Sequence, residues 1–514
     1  MTRETPVKPT LFRCLAVAGL ASAAASPLAA QMAVSANPTS VITPDAIYQH
    51  LSVIAHDSMM GRDTPSPGLE MTAQYIADRF ASLGLEPGGE NGTWFQRYPI
   101  YRMQLDTENS HVGFMMDGTA MHLLFTVHAT RWFGGIPAAE VHGPVIVIGG
   151  TLDPEQIEKL DLEGKVVLLV IDFNNLRNRP VQLGLRGIIG AGAAALVAVS
   201  NRSEAAFTSR VERASRPRTT LSAEPDGGAP AVVVRESALA DVAAAAGLDF
   251  EKLRGADGMV THDLAALTIG VEVKRKILEE TSAPNTIGIL EGSDPTLKNE
   301  YVVYSAHMDH VGIRSGQADS ISNGADDDAS GTVGVLMLAE AFAKAETKPR
   351  RSIVFITVSG EEKNLWGSAY FVEHPTVPVA DMVANINIDM IGRNWTDTIV
   401  AIGKEHSDLG ETLNRVNGDH PELGMTAIDD IWPEENFYGR SDHYNFARKG
   451  VPILFFFNGV HDDYHKVSDE IDKIDTEKMS RIISLLYYLG EDIADRPERP
   501  AWNPDSYEKI VEGA

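Results

Sequence analysis

Four runs of β-type apolar residues in the C-terminal half of the chain each end on acidic or imidazole side chains. EYVVYSA leads into His307, SIVFITV into Gly360-Glu361-Glu362, MVANINI into Asp389, and VPILFFF into the loop holding His465. A parallel strand buried on both faces reads as an unbroken apolar run. Ligands of open α/β sheets gather in the crevice at the carboxyl ends of the strands. The runs therefore predict a sheet that delivers these groups to one edge. Helix-like segments alternate with them: SGTVGVLMLAEAFAKA, LWGSAYFVEH and TEKMSRIISLLYYLGEDI. Such alternation predicts an α/β fold with a doubly wound, mostly parallel central sheet.

The residue types at these ends suit a metal. In SAHMDHVG, His307 stands two residues before Asp309, and a ligating imidazole usually gives its second N–H to a carboxylate. His310 is the nearest rival ligand. In NGADDDASG, Asp328 or Ser330 is able to cap the following helix. Three adjacent carboxylates still repel one another unless a cation lies between them, so one of them is a candidate ligand. Glu361 and Glu362, at the end of an apolar strand, are costly to desolvate without a positive partner. One as ligand and the other as proton shuttle meets that cost and supplies hydrolytic chemistry. NGVHDDYHKVSDE offers His465, with His461 as rival and Asp469 as a possible orienting group. Two imidazoles and three carboxylates suit zinc. Five ligands exceed what one catalytic zinc uses, whereas two ions sharing a bridging carboxylate account for the number.

The 514 residues are enough for two or three domains. Residues 1–30 have the layout of a secretory signal peptide. Arg3, Lys8 and Arg13 precede an Ala-rich apolar stretch, and small residues lead to Ala30. The stretch is too short to span a membrane, so the expectation is an exported protein, periplasmic or extracellular, with no stable membrane insertion once the signal is removed. Cys14, the only cysteine, lies inside it, leaving the mature chain without disulfide or thiol nucleophile. The net charge of −27 argues against nucleic acid as a partner.

A linker at 31–43 leads into a helical region at 44–100. From 101 to 280 the text changes to short β runs and glycines, without clustered His, Asp and Glu at strand ends. It reads as an inserted β-rich module, within which 201–228 is expected as an exposed loop. Regular α/β text follows over 281–494, and 495–514 is expected as a tail.

The segments AHMDH, GADDDASG, GEE, NIDM and DDYH, in this order, resemble the co-catalytic di-zinc aminopeptidase family that includes bacterial leucyl aminopeptidase, with glutamate carboxypeptidases and the transferrin receptor as distant relatives. The insertion resembles a protease-associated domain through EGKVVLL and GIIGAGAAALV. The resemblance implies peptide substrates and two Zn2+ ions per chain, with Asp327 bridging. His307 and Asp389 would complete one ion, and Glu362 and His465 the other. It further implies Glu361 as general base, Tyr438 at the oxyanion, and a cis peptide between Asp327 and Asp328. Asp309, Asp328 and Asp469 fall in supporting positions, and Asp442 in GRSDH is expected at most to support its loop. His310 is the main departure, since other branches carry a serine there. A carboxypeptidase or dipeptidase on the same centre is the alternative, with Arg393 or Arg440 as the cationic clamp it requires. Glutaminyl cyclisation and a non-catalytic binding module are more remote readings.

Overall fold

The computed structural model describes residues 37–133, 139–176, 179–223, 229–314, 316 and 318–513. The expected signal segment and Cys14 lie outside them. The first sheet runs, in spatial order, Thr426–Ile428, Thr398–Ile402, Ile453–Phe457, Met382–Ile388, Tyr301–His307, Ser352–Val358, Arg275–Leu290, Phe95–Leu105 and Arg218–Thr220. The four strands from Ile453–Phe457 to Ser352–Val358 are parallel, and these are the four apolar runs read from the sequence. The sheet as a whole is mixed, because Thr398–Ile402 and Arg275–Leu290 pair antiparallel to this centre.

Burial explains why the central strands carry no alternation. Along Tyr301–His307, Val302, Tyr304 and Ala306 pack into one apolar cluster while Val303 joins another on the opposite face. Both faces are covered, so every position is apolar or internally bonded. The helix Gly331–Lys344 and the helix Thr476–Asp495 cover the first face. The second of these is started by Asp475, whose side chain accepts from the backbone N–H of Lys478. Gly331 is required at its position, since a Cβ there would lie 2.2 Å from the Ile388 carbonyl oxygen.

The insertion forms a second, eight-stranded sheet between positions 111 and 273. The chain enters and leaves it along the paired antiparallel strands Phe95–Leu105 and Arg275–Leu290, which pair from Leu105↔Arg275 to Phe95↔Thr286 with a register shift between Ile277 and Glu279. Strand Val166–Val170 again buries alternate residues on two faces, Val166, Leu168 and Val170 on one and Val167 and Leu169 on the other. Two expectations are corrected. The stretch expected as a loop at 201–228 contains the helix Glu204–Ala214, with Phe207, Val211 and Ala214 buried at helical spacing, and the edge strand Arg218–Thr220. The C-terminal tail is docked in part, with Trp502 Nε1 donating to the Gly450 carbonyl at 2.9 Å. No helix among the described residues is long and apolar enough to cross a membrane.

Candidate metal centre

The parallel strands bring their ends together. His307 is the last residue of Tyr301–His307, Asp389 follows Met382–Ile388, and the Glu pair follows Ser352–Val358 through Gly360, whose φ is +73°. Asp327 precedes the helix Gly331–Lys344 with a cis peptide to Asp328. His465 stands at φ +56° in the loop after Ile453–Phe457.

Two groups of donors result, joined by one carboxylate. His307 Nε2 lies 3.4 Å from Asp327 Oδ1 and 3.6 Å from Asp389 Oδ1. His465 Nε2 lies 3.1 Å from Asp327 Oδ2 and 3.1 Å from Glu362 Oε1. His310 joins the second group, with Nδ1 3.0 Å from Glu362 Oε1 and 3.6 Å from Asp327 Oδ2. Asp327 Oδ2 and Glu362 Oε1 are buried and have no hydrogen-bond partner. Buried acceptors left in this state are rare in folded proteins, and convergent carboxylate and imidazole lone pairs fit a divalent cation. Burial alone would lower His465, but Asp327 and Glu362 outweigh it and hold it up at about 9. Burial would likewise raise Glu362, yet His310 and His465 bring it down to about 2.

The supporting carboxylates are committed to the protein itself. Asp328 Oδ1 accepts from the backbone N–H of Gly331 and Met390 at 2.8 and 3.0 Å, and Oδ2 accepts from His307 N at 3.2 Å. Both oxygens are occupied, which argues against a ligand role although Asp328 also lies near His307 and Asp389. Asp309 accepts from Thr64 Oγ1 and from the Glu361 N–H, and sits 3.7 Å from His307 Nδ1. Asp469 does not orient His465. Its carboxylate accepts instead from the N–H groups of Asp326 and Asp327, fixing the loop of the shared carboxylate. Ser441 Oγ donates to Asp389 Oδ2 at 2.8 Å, leaving Oδ1 to face His307.

Arg62 is the element sequence reading missed. Fully buried, it donates from Nε to the Met308 carbonyl and from its terminal nitrogens to the carbonyls of Ile54, Asn323 and Gly324. A residue from the N-terminal helical region thus ties together the loops carrying His310 and Asp327. Nothing in the local text around Arg62 signals this, because all but one of its partners are more than 240 positions away.

A cavity of about 40 Å³ opens on this centre, lined by His307, Asp327, Glu361 and Asp389 on its polar side. Burial pushes the Glu361 carboxyl well above the ordinary range, with His307 opposing and Asp442, Asp389 and Glu362 adding to the rise. Tyr438 does not line the cavity. Its hydroxyl is buried without a partner, and its ring meets His406 edge-on at 4.5 Å. In the short turn Phe437–Gly439, consecutive side chains diverge, and it is Phe437 that faces the cavity. The tyrosine that does line it is Tyr464, stacked on His465 at 3.9 Å. The DDYH text contained that residue, but only the turn geometry decides where it points. Asp442 accepts from Ser368 Oγ. Of the two arginines considered as clamps, Arg393 pairs with Asp463 at 3.0 Å, and Arg440 lines the cavity while pairing with Glu435 at 3.4 Å.

Paired imidazole and carboxylate groups around one shared aspartate, at the carboxyl ends of parallel strands, define an α/β domain with a candidate metal centre. Residues 285–490 match the model of Peptidase family M28, the family to which this stretch of the chain is similar. Aminopeptidase YwaD of Bacillus subtilis is 27% identical over 259 residues, which cover 47% of this chain and 52% of that protein. A "Probable zinc metalloprotease" of Pyricularia oryzae is 36% identical over 221 residues, covering 36% of this chain and 42% of its own. The chain thus spans about half, or less, of the length of these relatives. The solved aminopeptidase from Aneurinibacillus sp. strain AM-1 superposes with a TM-score of 0.48 and 18% identity, covering 91% of this chain and 98% of its own.

Proposed function

We propose that this chain is an exported zinc aminopeptidase that holds two ions and releases N-terminal residues from peptides. The observation carrying this reading is the position of Asp327, whose Oδ1 faces His307 at 3.4 Å while Oδ2 faces His465 at 3.1 Å. His307, Asp389 and Asp327 Oδ1 would hold one ion, and Glu362, His465 and Asp327 Oδ2 the other. When bound, the ions supply Lewis acidity and bring the pKa of a water toward neutrality. Glu361 stands beside them as the one carboxylate of the cavity wall not needed as a ligand. Its raised proton affinity suits it to take a proton from the attacking water and return it to the leaving amine nitrogen. Tyr464, which lines the cavity where Tyr438 does not, is the tyrosine we assign to donate to the developing oxyanion. The acidic wall favours a cationic α-amino group, and Met390, Phe437, Phe455, Phe457 and Val460 give the cavity an apolar end for the first side chain. Export rests on the signal-like text of residues 1–30.

A carboxypeptidase or dipeptidase is the second reading, favoured by Arg440 on the cavity wall. Aminoacyl chromogenic substrates with free and blocked N-termini separate the two. Hydrolysis of the free forms only, abolished by a chelator and restored by zinc, is the expected result. Cleavage confined to N-blocked peptides with a free C-terminus, and lost in Arg440→Ala, would establish the second reading instead.

A further inference from the structure

His310 is the one imidazole at this centre that the five-ligand scheme leaves without a role. Its side chain is 0% exposed, and neither ring nitrogen has a hydrogen-bond partner. Nδ1 nevertheless comes within 3.0 Å of Glu362 Oε1, an atom equally unpartnered, so the approach is not an aligned hydrogen bond. Resting on the two-ion reading above, we propose that His310 Nδ1 is a sixth protein ligand, which closes the Asp327–Glu362–His465 position to a four-ligand site and leaves the His307–Asp389 position open.

Distances, framework and cavity each support this. Metal–ligand bonds of about 2.0–2.2 Å in a tetrahedron place neighbouring donor atoms roughly 3.3–3.6 Å apart. The donor pairs measured in the second group are 3.0, 3.1, 3.1 and 3.6 Å. The ring is held by its surroundings rather than by hydrogen bonds. A Cβ on Gly324 would lie 2.5 Å from His310 Cγ, so only glycine permits the ring to lie there, and Gly324 adopts φ +55°. The backbone N–H of His310 donates to the Arg62 carbonyl at 3.3 Å, and the Arg62 guanidinium binds the carbonyl of Gly324. One buried side chain therefore fixes both the ring and the residue packed against it. The cavity independently marks the same asymmetry, since its wall includes His307, Asp327 and Asp389 but none of His310, Glu362 and His465.

Four protein ligands make a closed site of the structural kind, whereas three leave a position for water or substrate. The consequence is two inequivalent ions: one retained and positioning the shared Asp327, the other exchangeable and facing the substrate.

Zinc content of the purified full-length protein, followed during dialysis against chelators of increasing strength, tests the assignment. The wild type should release its two equivalents in two separated steps. In His310→Ala the tightly held ion should weaken by more than the roughly 10–100-fold that loss of a supporting residue costs. His310→Gln should do the same, with circular dichroism of the metal-free proteins confirming that each variant folds. X-ray absorption of the wild type holding only its retained ion should count two imidazoles, a readout that needs no variant. Release of both ions in one step, a single imidazole, or unchanged zinc affinity in a folded His310→Ala would overturn the assignment while leaving the two-ion reading intact. A wild type that binds fewer than two ions would overturn both.

Discussion

Both sheets have a centre of buried parallel strands flanked by antiparallel ones, and the acids at their carboxyl ends differ in burial and in partners. In the inserted sheet, Asp172 follows the strand Val166–Val170 much as Asp389 follows its own. Asp172 is partly exposed, and both of its carboxylate oxygens accept local hydrogen bonds. Oδ1 takes the N–H of Asn174 and the side-chain amides of Asn174 and Asn201, and Oδ2 takes Asn175. In the catalytic sheet, Glu362 Oε1 and Asp327 Oδ2 are buried with no hydrogen bond at all. Burial of a strand reports only on the fold. An unsatisfied interior acceptor costs free energy, and at this centre two of them converge with imidazole nitrogens on one point, which a lone unsatisfied atom elsewhere does not do.

The largest expected effect breaks the comparison at its catalytic end. Glu361→Gln removes the proton carrier and leaves all proposed ligands in place. It should lower kcat by about 10²–10⁴-fold with zinc content unchanged by elemental analysis. Asp172→Asn, at the matching strand end of the insertion, should leave kcat at the wild-type value. Near-wild-type turnover in a folded, zinc-loaded Glu361→Gln would refute the assigned role.

The second effect concerns what holds the unsatisfied end together. Arg62→Ala leaves four carbonyls without their buried donor and should cost several kcal/mol, at about 1–3 kcal/mol for each acceptor left buried and unpaired. Urea unfolding would show this as a lower midpoint at constant slope. A change under about 1 kcal/mol would mean that the loops carrying His310 and Asp327 hold their shape without Arg62.

Arg62 also marks the limit of what the text discloses. The strands, their direction at the centre and the five ligand candidates were legible because each rests on a local pattern, an apolar run and the residues at its end. The helix Glu204–Ala214 was not, because its buried Phe207, Val211 and Ala214 are embedded in arginine- and serine-rich text that resembles a loop. Tyr464 and His310 were present in the motifs, but side-chain direction at a turn is set by backbone torsions that the motif does not encode. Tyr438 shows the converse, a motif tyrosine whose ring the turn sends toward His406 instead.

The smallest effect separates the two sheets by pH. His50 lies on the helix Pro44–Ile54 and His443 on the helix His443–Ala447, both in the part of the chain that carries the first sheet. Burial, reinforced by Arg79 and opposed by Glu340, lowers His50 to about 4, and burial lowers His443 to about 3. The folded rings therefore stay neutral through a range where the unfolded chain, with histidines near 6.5, takes up protons. Stability depends on pH through the difference in bound protons. Because the unfolded state binds more of them below pH 6.5, this contribution is complete above 6.5 and is lost as pH falls toward 4 and then 3. Melting temperature should accordingly drop across that window, and His50→Phe should flatten the slope between pH 6.5 and about 4. If calorimetry resolves two transitions, the decline due to these two rings should belong to the one that His50→Phe shifts, with the other transition free of it. An acid slope identical in His50→Phe and wild type would show that the His50 ring is already accessible to protons in the folded protein, and that the interior of the catalytic half is less sealed than its packing indicates.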